Sequence, residues 1–202
     1  LENQHIEYFD FPKSTFRFIT FTSNKHLSSL VYDDILASVE VARAAGFETV
    51  TVEKYAFSEQ DVAYNKIRQG YGKEGAVVYY VNGQGHIIGL VKKKTIWYVV
   101  VRSIREKVKV FAKKLTDEDA NKSDLKRRTK KRIKETLEQK QRWLGFSDQV
   151  LKAWTDLAMS FVDWLVEVVG QPDSAADGID RMFPKVWNAF LKDRKLSDKV
   201  EF

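Results

Sequence analysis

The sequence predicts an α+β protein, with strands in its first half and an all-helical second half. Three observations carry this expectation. Apolar and polar residues alternate in 15–22 and 48–57, a hairpin signature stands at Asn82-Gly83 and Gly85 between two apolar runs, and the apolar period becomes helical after Ile104. The 202 residues are 44% hydrophobic, with thirteen Phe, eight Tyr and five Trp, which is enough apolar surface for a real core. No apolar run reaches the roughly 18 residues of a membrane span, so no membrane partner is expected.

Each element follows from its local pattern. In TFRFITFT (15–22), Phe16 and Phe18 share one face while Arg17, Ile19 and Phe21 share the other, as a strand requires. The segment DDILASVEVARAAGF opens with a carboxylate suited to capping a helix and stops at Gly46. ETVTVEKYAF (48–57) alternates again, and SEQDVAYNKIRQG reads as a helix from Ser58 to Gly70. Two apolar runs around the Asn-Gly turn continue the sheet to about Lys94, and GLVKKKTIWYVVV (89–101) reads as strand throughout. Beyond Ile104 the segment 147–170 places Leu151, Trp154, Leu157, Ala158, Phe161, Leu165 and Val168 on one stripe, so this helix faces a core. A last helix is expected near Pro184, an N1 proline. The domains expected are residues 1–103 and 104–202.

The chain has no cysteine, which excludes disulfides, thiolate nucleophiles and cysteine zinc sites. Its start, LENQHIEYFDF, has neither the basic nor the apolar region of a signal peptide, so a cytoplasmic or nuclear protein is expected rather than a secreted one. The net charge of +6 is concentrated. Residues 122–142 hold ten Lys or Arg against three acids, a local +7 that leaves about −1 for the remainder. Such a run suits a polyanion such as nucleic acid, and it equally suits a solvated helix face. As a helix, residues 124–142 would extend roughly 28 Å, docked by a narrow stripe of Leu125, Ile133 and Leu137. Asp33-Asp34 reads as cap and dipole partners, and His5, His26 and His86 lack metal-ligand spacing.

Three consecutive lysines, Lys92 to Lys94, stand inside apolar sequence. Alternation puts Lys92 and Lys94 on one face, where paired ammonium groups repel unless an anion joins them. At an effective dielectric of about 20, a lysine–phosphate contact at about 4 Å gains roughly 4 kcal/mol before desolvation. An edge strand guarded by lysines is the competing reading. Glu74-Gly75, one hairpin arm upstream, adds the carboxylate that a magnesium-nucleotide site requires.

EGAVVYY (74–80) resembles motif IV of the covalent nucleotidyltransferases, and LVKKKTIWYVV (90–100) resembles their motif V, specifically in the phage-type RNA ligase 1 family of ATP-dependent RNA ligases. FDFPKSTFR (9–17) is similar to motif III with its downstream arginine, although Asp10 stands where the family has Glu; YDDILA (32–37) resembles the intervening segment. The resemblance implies the antiparallel-sheet part of an adenylation domain, followed by an all-helical domain that engages RNA, tRNA among the candidates. It implies ATP and Mg2+, with Glu74 holding the metal near the phosphates and Lys92 and Lys94 contacting them. Tyr98 would support the pocket, and Asp10 would approach the ribose. Lys126, Arg127, Arg128, Lys130, Lys131 and Arg132 would bind RNA. The whole reaction would join RNA 5′-phosphate and 3′-hydroxyl ends through lysyl-adenylate and RNA-adenylate intermediates, in RNA repair or tRNA splicing. The family's nucleophilic Lys-x-Asp-Gly is missing; the only Asp-Gly, Asp177-Gly178, follows Ala175 and Ala176. A chain whose nucleophile lies upstream is the expectation, and alone it would not form a lysyl-adenylate. The alternative is a non-catalytic RNA-binding module on a ligase-like scaffold.

Overall fold

The computed structural model describes residues 6, 16–21, 34–117, 119–171, 174 and 176–201. They form a mixed α+β protein with one two-stranded antiparallel sheet and predominantly helical secondary structure. Two compact units emerge, one of Ile67–Gly75 and Lys94–Phe202 together with Ile6, the other of Asp10–Lys66 and Ala76–Lys93.

In the second unit, helix α1 (Ile35–Ala44) begins where Asp34 accepts hydrogen bonds from the backbone of Leu36 (2.9 Å) and Ala37 (3.3 Å). The carboxylate satisfies amides that a helix start leaves open, so Asp34 is a cap as its position suggested. The chain leaves α1 through Gly46, whose φ of 83° favours glycine. A 3₁₀ turn (Phe57–Glu59) leads into α2 (Gln60–Arg68).

The strands expected at 15–22 and 48–57 do not form among the described residues. Phe18 and Thr49 make one isolated parallel bridge instead, with Phe18 N–H donating to Glu48 (2.7 Å) and Val50 N–H to Phe18 (3.0 Å). Alternation fixes which side chains share a face, but a strand also needs a neighbour that continues the ladder. The hairpin does form: β1 (Gly75–Val81) and β2 (Ile87–Lys94) are joined by a turn in which Asn82 N–H donates to His86 and Gly85 has φ 85°.

A second correction falls at the end of β2. The strand stops at Lys94, and Ile96–Val101, read as strand, opens helix α3 (Ile96–Leu115). Thr95 Oγ1 accepts from Tyr98 N–H (3.0 Å), capping the helix, and all six residues of the β-branched and aromatic run are buried. Burial on every side removes the amphipathic signal, and packing overrides a strand propensity of about 1 kcal/mol or less per residue.

The first unit is otherwise a helical assembly of α3, α4 (Lys122–Leu144), α5 (Asp148–Val168) and α6 (Phe183–Arg194). Its core takes Val100, Ile104, Val108 and Phe111 from α3, Ile133 and Leu137 from α4, and Trp154, Phe161 and Leu165 from α5. Phe161 also meets Phe183, Trp187 and Phe190 of α6, with ring centroids 4.9–6.1 Å apart. Leu125, Ile133 and Leu137 dock α4 as their spacing required, Pro184 stands in the first turn of α6, and no helix among the described residues is long and apolar enough to cross a membrane.

Candidate functional site

Thr95 organises the junction between hairpin and helix. Its N–H donates to the Glu74 carbonyl (2.9 Å) and its Oγ1 donates to the Lys73 carbonyl (2.8 Å), while the same Oγ1 caps α3. The hydroxyl is fully buried, so each of these bonds replaces water that cannot reach it. Gly70 lies against Thr95 closely enough that an added Cβ would come within 3.0 Å of its methyl group. This junction fixes Glu74 just before β1, Lys94 at the end of β2 and Tyr98 in the first turn of α3.

Those three side chains converge. Lys94 Nζ lies 3.1 Å from Glu74 Oε1 and 4.8 Å from the centre of the Tyr98 ring. Both charged side chains keep about a third of their surface exposed, 31% and 34%. A pair so open to water contributes only about 0–1 kcal/mol to folding, which leaves it free to exchange partners. Exchange of partners would offer the ammonium to an anion and the carboxylate to a cation.

Lys92 stands exposed on β2 in the second unit, and the adjacent Lys93 places its ammonium 3.7 Å from the centre of the Tyr64 ring. Asp10 lies outside the described residues, as do His5, His26 and most of the motif III segment. Asp177 is in a turn of the first unit, exposed, with Gly178 at φ 73°.

Magnesium fits this junction only in one way. Among the described residues no group of three His, Cys, Asp or Glu side chains could hold a metal. One carboxylate suits a Mg2+ that arrives already coordinated by nucleotide phosphates, since that ion keeps waters and needs few protein ligands. Glu74 is the residue that would hold it, and the ion would neutralise charge accumulating on the phosphates.

The basic run on α4 is largely paired within the protein. Asp124 takes Arg127 (2.8 Å) and Arg128 (2.7 Å), and Asp163 of α5 takes Lys126 and Lys130, each at 2.7 Å. Lys131 lies 3.9 Å from Glu135, and Arg132 is exposed. The Arg127 guanidinium holds the Asp124 carboxyl below the usual range; burial pushes Asp163 up, but its two ammonium partners together leave it below that range too. Alternation and charge counts cannot reveal such pairing, because Asp163 is 33 residues beyond Lys130.

A groove between α3 and α4, with a volume of about 470 Å3, starts at Lys94 and Tyr98 and continues past Arg102, Lys107, Lys140 and Trp143. Sequence reasoning missed it as a site. The one legible signal was an aromatic, Trp143, standing in a basic helix outside its apolar stripe. No protein-family model, curated protein or solved structure matches the chain.

Proposed function

We propose that this chain carries the phosphate-binding part of an ATP-dependent RNA ligase site, in which Lys94 engages nucleotide phosphate, Glu74 meets the accompanying Mg2+ and Tyr98 supports the lysine. The observation that carries the reading is the convergence of Glu74, Lys94 and Tyr98 at one solvent-accessible junction. Hairpin register brings Glu74 beside Lys94, and Tyr98 follows in the first turn of α3, so their proximity is a consequence of the hairpin; the motif resemblance is what supports phosphate and metal as their partners. RNA is the acceptor of the adenylate in this proposal.

The chemistry asked of these residues is electrostatic. A preorganised ammonium stabilises charge as it develops on a phosphoryl oxygen, and loss of one such donor costs on the order of 10²–10³ in rate. The chain has no Lys-x-Asp-Gly nucleophile of its own. It should therefore bind ATP without acquiring covalent AMP.

Equilibrium titration with ATP and Mg2+ tests the proposal. We expect Lys94→Ala to weaken binding at least about tenfold, the equivalent of about 1.4 kcal/mol, with Glu74→Ala abolishing the magnesium dependence. Equal affinities of all three proteins, or a covalent adenylate on the unaltered chain, would contradict it. The non-catalytic alternative predicts binding of RNA with no response to ATP.

A further inference from the structure

We propose that the α3–α4 groove is the docking surface for a single-stranded nucleic acid, with Trp143 as a base-stacking platform and Arg102, Lys107 and Lys140 as phosphate contacts. This deepens the ligase reading by assigning where the polynucleotide lies, and it rests on that reading only for the role of the Lys94 end.

Charge and shape both support it. Four cations line the groove, Lys94, Arg102, Lys107 and Lys140, against one acid, Glu106. That acid is already engaged, its Oε1 lying 2.5 Å from the guanidinium of the buried Arg105. Among the described residues, no carboxylate lies within ion-pair distance of Arg102, Lys107 or Lys140. The contrast with the basic run is physical: Lys126, Arg127, Arg128 and Lys130 share two carboxylates, Asp124 and Asp163, whereas Arg102, Lys107 and Lys140 share none among the described residues.

Trp143 points to the chemical class of the occupant. The indole is 67% exposed, with Lys140 Nζ 5.6 Å from its ring centre. An acidic peptide would use the cations alone. Cations interleaved with an open aromatic face match a strand that offers phosphates and unpaired bases in alternation. The groove also ends at Lys94 and Tyr98, so a strand lying in it leads to the proposed phosphate site.

The test measures binding of a fluorescent single-stranded oligonucleotide to the whole chain over a range of salt. An RNA arm and a DNA arm separate the two sources of the same chemistry, with a duplex and a poly-glutamate peptide as competitors. Trp143→Ala should weaken binding about tenfold, and Trp143→Phe should restore most of it. The Arg102→Ala/Lys140→Ala double variant should reduce the log-log salt slope by about 1.4, or about 0.7 for each single-strand phosphate contact. Lys185→Ala, which removes one exposed charge on α6, should leave the slope unchanged.

The proposal is overturned by no oligonucleotide binding, by indifference to Trp143, by an unchanged slope in the double variant, or by poly-glutamate competing as well as the single strand. It is also overturned if Arg127→Ala/Arg128→Ala removes more of the slope than the groove variant. None of these readouts uses ATP. A failed ATP titration with intact oligonucleotide binding therefore rejects the ligase reading and leaves the groove standing, and the reverse result rejects the groove alone.

Discussion

Asp198 shows how far one side chain in an irregular segment can decide packing. The carboxylate is 3% exposed, and it accepts from Tyr71 Oη (2.6 Å), Trp97 Nε1 (2.9 Å) and Trp187 Nε1 (2.8 Å). One acid after α6 thus satisfies two buried indoles, from α3 and α6, and a phenol before β1. Indole N–H groups donate only, so without Asp198 they lose their acceptor. Burial, and then the bond to Asp198, push the Tyr71 hydroxyl up to about 12 from the usual 10.0. The raised value means that the protonated phenol's contribution is fully present below about pH 10 and is lost as pH rises through about 12. Asp198→Ala should lower stability to urea by about 3 kcal/mol and return Tyr71 toward its usual titration. A loss below about 0.5 kcal/mol, or an unmoved tyrosinate titration, would contradict this account. Nothing in the sequence marks Asp198, because a buried acid in coil has no periodicity.

At the scale of elements, the legible and the illegible divide along physical lines. Helices α1, α4, α5 and α6 each bury one face and expose another, so their apolar spacing could be read directly. The start of α3 could not, because Ile96 to Val101 are apolar on every side and resemble a buried strand. Thr95 is what ends β2 and starts the helix, and this double role gives a prediction. Thr95→Ala should cost about 1–2 kcal/mol by removing the cap and the bond to Lys73, with Thr95→Ser retaining most of the stability. Equal urea midpoints for the wild-type and alanine proteins would sink the argument. The candidate site sits on the same junction: the hairpin signature already set Glu74 beside Lys94, whereas the helical start that Thr95 gives to Tyr98 was not legible. Between α4 and α5, Asp163 ties two lysines; its lowered pKa makes that tie present above the normal carboxylate range and lost as pH falls through the lowered value.

For the whole molecule, charge counts alone do not show which cations share a carboxylate. The local +7 of residues 122–142 suggested α4 as a continuous RNA face. Asp124 comes from the same run and Asp163 from α5, and each takes two of its cations, which offsets part of the charge in its first half. Arg127, Arg128 and Lys131 remain well exposed in their ion pairs, and the groove shared with α3 adds a second cationic surface that ends at the Lys94–Glu74 pair.

The central claim is that Lys94 leaves Glu74 for nucleotide phosphate, and a crystal structure with ATP and Mg2+ measures this directly. The account predicts Lys94 Nζ about 3 Å from a phosphate oxygen, with Glu74 turned toward the metal. A nucleotide bound elsewhere while Lys94 and Glu74 remain 3.1 Å apart would contradict it.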